Sequence, residues 1–172
     1  NPLAAYLDVF SNTGTDAADS APSVQLGITA TGGVVSTYTD SGNVYKAHVF
    51  AASGTFEVSS IGGYGANIEY LVVAGGGGGG GSNAGGGGAG GLRTNLPGVQ
   101  TTGGTPLTAA AFPAPATGGN GSGVYTVTVG GAGGGGFGAS SRTDGQNGTD
   151  SYFGPPSTPN GITASGGGGG GA

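Results

Sequence analysis

From Gly33 onward the chain alternates. Val35, Thr37 and Thr39 fall on one side against Val34, Ser36 and Tyr38, and Tyr45, Ala47 and Val49 oppose Lys46, His48 and Phe50. Period-two alternation of β-branched and aromatic residues marks half-buried strands. Phe56 and Val58 share a face opposite Glu57, and Ser53-Gly54 is a turn signal between Tyr45–Phe50 and Thr55–Val58. The pattern therefore predicts a hairpin turning at Ser53-Gly54. Gly62-Gly63 and Gly65 lead into a further strand-like stretch from Asn67 to Ala74. No segment before residue 74 holds a 3.6-residue period of useful length, so residues 33–74 are expected to form an antiparallel β module. Residues 1–32 read as an N-terminal arm or linker: a short apolar start (Leu3, Tyr6, Leu7, Val9, Phe10), a polar stretch from Ser11 to Ser20, then Val24 to Ile28.

Beyond residue 74 one arrangement recurs. Tyr70-Leu71-Val72-Val73-Ala74, Tyr125-Thr126-Val127-Thr128-Val129 and Ile162-Thr163-Ala164-Ser165 are each followed at once by glycines, the longest run being Gly75 to Gly81. Each short strand delivers the chain into a glycine run, at unequal spacings that exclude a fixed-period solenoid. The excursions between runs, at Leu92 to Pro97, Phe112 to Pro115, Phe137 to Asp150 and Phe153 to Asn160, read as loops.

Glycine loses more backbone freedom on folding than any other residue, so an ordered glycine run needs neighbours that hold it still. A flexible linker is the plain alternative. Linkers, however, seldom follow apolar strands three times over. Left-handed helices of the polyproline-II type rise about 3.1 Å per residue, and packed side by side they must exchange hydrogen bonds, since they make none internally. Seven residues would span roughly 22 Å. The expected fold is mainly β: a small antiparallel module, then glycine-rich layers of polyglycine-II helices over 75–172, with essentially no α-helix.

Composition narrows the chemistry. With 46 glycines in 172 residues and 34% hydrophobic residues, a conventional core must be small, and only 6% of residues are charged. A net charge of −5, with Lys46, Arg93 and Arg142 the only basic residues besides His48, argues against nucleic acid as a partner. No apolar stretch approaches the roughly 20 residues of a membrane span, and nothing at the start resembles a signal peptide. The absence of cysteine removes disulfide and thiol chemistry. The missing initiator methionine and the ending in Gly171-Ala172 suggest a piece of a longer polypeptide.

The glycine spacings after Ala74 satisfy a dinucleotide fingerprint, as any polyglycine tract does, but no helix-forming sequence follows and no P-loop lysine is present. His48 has no acid or nucleophile in a recognisable arrangement and reads as a surface strand position. Asp144-Gly145-Gln146-Asn147-Gly148-Thr149-Asp150 is oxygen-rich like a calcium loop, yet it lacks the closing glutamate of an EF-hand and reads as a turn. No catalytic residue, metal ligand or cofactor is expected, and the chain is not expected to be an enzyme. The candidate binding residues are Tyr64, Arg93, Phe112, Phe137, Arg142, Tyr152 and Phe153, aromatic or guanidinium groups in glycine- and proline-rich segments. They could instead cap the glycine layers against water; as a binding surface they would suit sugars or protein, since such groups dominate recognition sites.

The order Lys46-Ala47-His48-Val49-Phe50, Ser53 to Val58, Ile68 to Ala74 with its glycine run, Gly85 to Arg93 and Tyr125 to Gly130 resembles the glycine-rich domain of bacteriophage tail fibres and related virion or bacterial surface proteins. The resemblance covers about residues 33–172. It implies a trimeric or otherwise multimeric component of the virion exterior, with tail-fibre-like polyglycine-II layers whose apical loops contact a host-surface glycan or protein. Residues 1–32 would then join other virion proteins. A head fibre, a capsid decoration protein or a cell-surface filament subunit without a receptor is the alternative. Long Ala/Pro/Thr stretches such as Thr101 to Thr117 depart from the more regular glycine segments of tail-fibre adhesins.

Overall fold

The structure is a computed structural model that describes residues 27–61, 63, 67–96, 112–113, 123–138, 142–154 and 161–172. Its described residues form eleven strands and no helix: β1 (Thr29–Thr31), β2 (Val34–Asp40), β3 (Asn43–Val49), β4 (Gly54–Ser60), β5 (Asn67–Ile68), β6 (Leu71–Val73), β7 (Leu92–Thr94), β8 (Phe112–Pro113), β9 (Val124–Thr128), β10 (Ser151–Phe153) and β11 (Ile162–Ala164). The fold is mainly β, as the alternation predicts. Among the described residues no helix is long and apolar enough to cross a membrane. Residues 1–26 of the arm expected over 1–32 and the Thr101–Thr117 stretch, apart from the backbone of β8, lie outside the described residues, and the end of that arm forms β1.

The first hairpin forms elsewhere than at Ser53-Gly54. β2 and β3 pair antiparallel from Val34↔Val49 to Asp40↔Asn43, turning through Ser41 and Gly42 with φ of 50° and 83°. Two consecutive positive φ values are what a two-residue turn needs to match the twist of its strands. β4 instead lies between β1 and β9 in the sheet β1-β4-β9-β10-β11. The reason is burial: Phe56 and Val58 need cover, and β9 supplies Tyr125 and Val127 on the matching alternation. That sheet joins the expected β module to the glycine-rich part, because β4 pairs with a strand beyond residue 123.

Phe56, Val58, Tyr125 and Val127 form the core, with Ile28, Ala30, Phe50, Ile68, Val129 and Phe153 packed around them. Phe153 stacks on Tyr125 at 5.2 Å, with ring planes 8° apart. His48 is not a free surface residue. Its ring edge meets Phe56 at 5.1 Å, and its Nδ1 lies 2.8 Å from the carbonyl oxygen of Gly32.

Five strand ends continue as extended runs, numbered here by chain order: run 1 (74–81), run 2 (85–91), run 3 (130–137), run 4 (143–150) and run 5 (165–172). Runs 1, 3 and 5 leave β6, β9 and β11, the three junctions visible in the sequence. Runs 2 and 4 return into β7 and β10, segments that read as loops and are strands. Hydrogen bonds recur at every third residue. Ala74, Gly77 and Gly80 donate to the carbonyls of Gly91, Gly88 and Gly85 at 3.0, 2.8 and 2.9 Å, while Gly75, Gly78 and Gly81 donate to Thr149, Gln146 and Thr143 at 3.1, 2.9 and 3.0 Å. A three-residue repeat is that of a polyproline-II-type helix. Run 1 also accepts from run 3 (Gly133 to Gly76, Gly136 to Gly79) and from run 5 (Gly167 to Gly75, Gly170 to Gly78), each bond 2.8 or 2.9 Å.

Glycine is demanded by position. A Cβ on Gly75 or Gly78 would lie 1.9 or 2.1 Å from a carbonyl oxygen of run 3, and one on Gly77 2.0 Å from that of Gly168, distances no side chain can occupy. Run 4 shows the minimum requirement. Only Gly145 and Gly148 of its eight residues are glycine, and a Cβ on either would strike the carbonyls of Gly78 and Gly75 at 2.0 and 2.1 Å.

Candidate functional site

Runs 1, 3 and 5 point away from the sheet and runs 2 and 4 come back, so the turns between them gather at the far end. There Ser82 (φ 61°) turns the chain out of run 1 and Gly138 (φ 117°) turns it out of run 3. The tip is tied together across all five runs: Gly81 donates to Thr143, Gly85 to Gly171 and Gly136 to Gly79. Thr143 closes the run 3–run 4 turn, its Oγ1 accepting from the Phe137 N–H at 2.7 Å while its own N–H donates to the Phe137 carbonyl at 3.1 Å. This fixes the backbone of Phe137 and leaves its ring 81% exposed.

Two of the candidate residues, Phe137 and Arg142, therefore stand together at the tip, Arg142 exposed beside the ordered Thr143. Arg93, Tyr152 and Phe153 lie at the opposite, sheet end. Arg93 is half-buried in β7 opposite Val72, where its charge partly offsets the burial that raises the Tyr70 hydroxyl above its ordinary pKa. Tyr152 and Phe153 belong to β10, and Phe153 is committed to the core. Tyr64 and the Phe112 side chain fall outside the described residues.

The oxygen-rich segment Asp144–Asp150 is a straight run and not a turn. Asp144 Oδ1 accepts from the Ala172 N–H at 2.6 Å, Asn147 Oδ1 from Gly169 at 2.8 Å and Asp150 Oδ1 from Gly166 at 2.8 Å. Spacing by three puts these side chains on one edge of run 4, where they satisfy the N–H groups that run 5 turns outward. Among the described residues no group of three or more His, Cys, Asp or Glu side chains is placed to hold a metal ion. A shallow apolar groove lined by Gly33, Val34, Val49, Phe50 and Thr55 presents no titratable side chain.

Polar groups missed from the sequence support the base of the bundle. Asn95, buried, accepts from the Tyr70 N–H through Oδ1 and donates through Nδ2 to the Ile68 carbonyl, each at 2.9 Å. Thr94 donates to the Tyr70 carbonyl at 2.7 Å. These side chains extend the β6–β7 pairing where the backbone ladder stops.

Residues 50–172 match the family described as a glycine-rich domain. The chain belongs to that family. The glycine-rich domain begins as the chain leaves β3 and takes in all five runs, leaving the β2–β3 ribbon outside. No curated protein and no solved structure matches the chain.

Proposed function

We propose that this chain is a bacteriophage virion structural protein, a tail-fibre or spike component, that meets the host surface with the tip of its glycine bundle. One observation carries the reading: a rigid, hydrogen-bonded bundle holds an exposed aromatic ring and an exposed guanidinium, Phe137 and Arg142, at its far end. Loops on a rigid scaffold favour recognition because little entropy is lost when they bind. A ring paired with a guanidinium suits a glycan or a protein surface.

The experiment is adsorption of particles carrying Phe137→Ser with Arg142→Ser, together with immunogold localisation of the chain. Loss of adsorption by roughly tenfold or more, with Lys46→Gln on the ribbon leaving it unchanged and gold at distal tail appendages, is the expected result. Unchanged adsorption with gold over the capsid or along cellular filaments would overturn it in favour of a head fibre, decoration protein or filament subunit.

A further inference from the structure

Among the described residues the bundle is open along one face, and the open positions are defined by backbone groups that bond to none of them. Run 1 touches runs 2, 3, 4 and 5; runs 2 and 5, 5 and 4, and 4 and 3 also bond one another, whereas runs 2 and 3 do not. This connectivity is a triangular packing in two layers, runs 2, 1 and 3 in one and runs 5 and 4 in the other. A helix of three residues per turn directs its N–H groups along three lines and its carbonyls along three more, so an interior run has six neighbours. Run 1 has four. Two of its N–H sets go to runs 2 and 4, and two of its carbonyl sets receive runs 3 and 5. The remaining sets, the N–H groups of Gly76 and Gly79 and the carbonyls of Ala74, Gly77 and Gly80, bond to no described residue. They are turned toward the two positions, filled by no described residue, on the outer side of the layer formed by runs 2, 1 and 3.

The opposite layer differs. The outward N–H groups of its run 5 are capped by Asp144, Asn147 and Asp150, whereas the outer face of run 1 has only glycine. Room is left there as well: a Cβ on Gly76 or Gly79 would meet nothing nearer than 3.5 or 3.7 Å. At the foot of the same face β6 packs inward on β10 and β11, and its outward residues Leu71 and Val73 are 60% and 52% exposed.

We infer that this face is where a second copy of the chain docks, glycine layer against glycine layer. An occupant must reach backbone donors and acceptors that lie level with the surface, so it can carry little side chain there; the same layer of another copy, whose residues other than glycine are Ala74, Ala89, Ala132 and, at the tip, Phe137, comes near that condition and brings both donors and acceptors. Direction is no obstacle, because run 1 already has parallel neighbours in runs 3 and 5 and antiparallel ones in runs 2 and 4. Leu71 and Val73 of the two copies would be covered in the same contact.

Sedimentation of the 172-residue chain across concentration tests this. The wild type is expected to associate reversibly, and Gly76→Ala with Gly79→Ala to weaken association by roughly tenfold or more with the monomer's melting temperature kept, since these Cβ atoms fit the single chain but hold a neighbouring run away. Leu71→Ser with Val73→Ser should act the same way and covers the case in which the glycine variants fail to fold. Gly168→Ala, in the other layer, should leave association intact. A wild type that is monomeric throughout, or an association unchanged in both double variants, overturns the inference. Adsorption does not enter the readout, so this result stands apart from the tip's role.

Discussion

Glycine 78 and glycine 168 look identical in the sequence and are opposites in the structure. A Cβ on Gly78 would sit 2.1 Å from the Gly134 carbonyl oxygen, whereas one on Gly168 would meet nothing within 4 Å. Backbone cannot yield as a flexible side chain does, so Gly78→Ala must push run 3 away and break bonds on both sides of run 1, at a cost of about 3 kcal/mol or more. Gly168→Ala restricts the unfolded chain without a clash and is expected to change stability by less than about 1 kcal/mol, in the stabilising direction. Thermal unfolding of the two variants beside wild type checks this; equal melting temperatures would show that the run is a linker and not a packed helix.

Elements differ in how plainly their sequence announces them. The strands entering runs 1, 3 and 5 are legible because apolar alternation stops abruptly at glycine. Leu92-Arg93-Thr94 and Ser151-Tyr152-Phe153 are three residues long and too short to show a period; they become strands because the antiparallel runs before them deliver them in register beside β6, β9 and β11. Run 4 was hidden for a related reason. Only every third residue must be glycine, so its signal is the spacing of Gly145 and Gly148, with Asp144, Asn147 and Asp150 repeating at the same interval. The tip followed from neither pattern, since its membership depends on which way each run points. The side-chain ladder on run 4 is open to test by substitution. Asn147→Ala removes the acceptor for the Gly169 N–H and is expected to cost about 1 kcal/mol, as is typical of one hydrogen bond. Asn147→Asp keeps an acceptor and should keep the stability; denaturant unfolding that separates neither variant from wild type would mean the ladder is idle.

Across the whole molecule the glycine bundle and its sheet form one connected body, and the β2–β3 ribbon is an appendage to it. The ribbon pairs only with itself among the described residues, and Val34 faces Val49 where it joins the rest. Gly33 and Phe50 are consequently close: a Cβ on Gly33 would lie 3.1 Å from the Phe50 ring. Residues 34–49 can then be replaced by a short Gly-Ser link without moving β1 or β4. What is lost is the His48 edge contact on Phe56 and the His48 bond to Gly32, together about 1–2 kcal/mol. The shortened chain should therefore unfold cooperatively a few degrees below wild type. The same variant separates two sources of self-association, because the ribbon carries exposed Val34, Tyr38, Val44 and Val49 of its own. If copies meet through the bare outer face of run 1, sedimentation of the shortened chain matches the full one; if it becomes monomeric while staying folded, the ribbon is the contact and the glycine face is not.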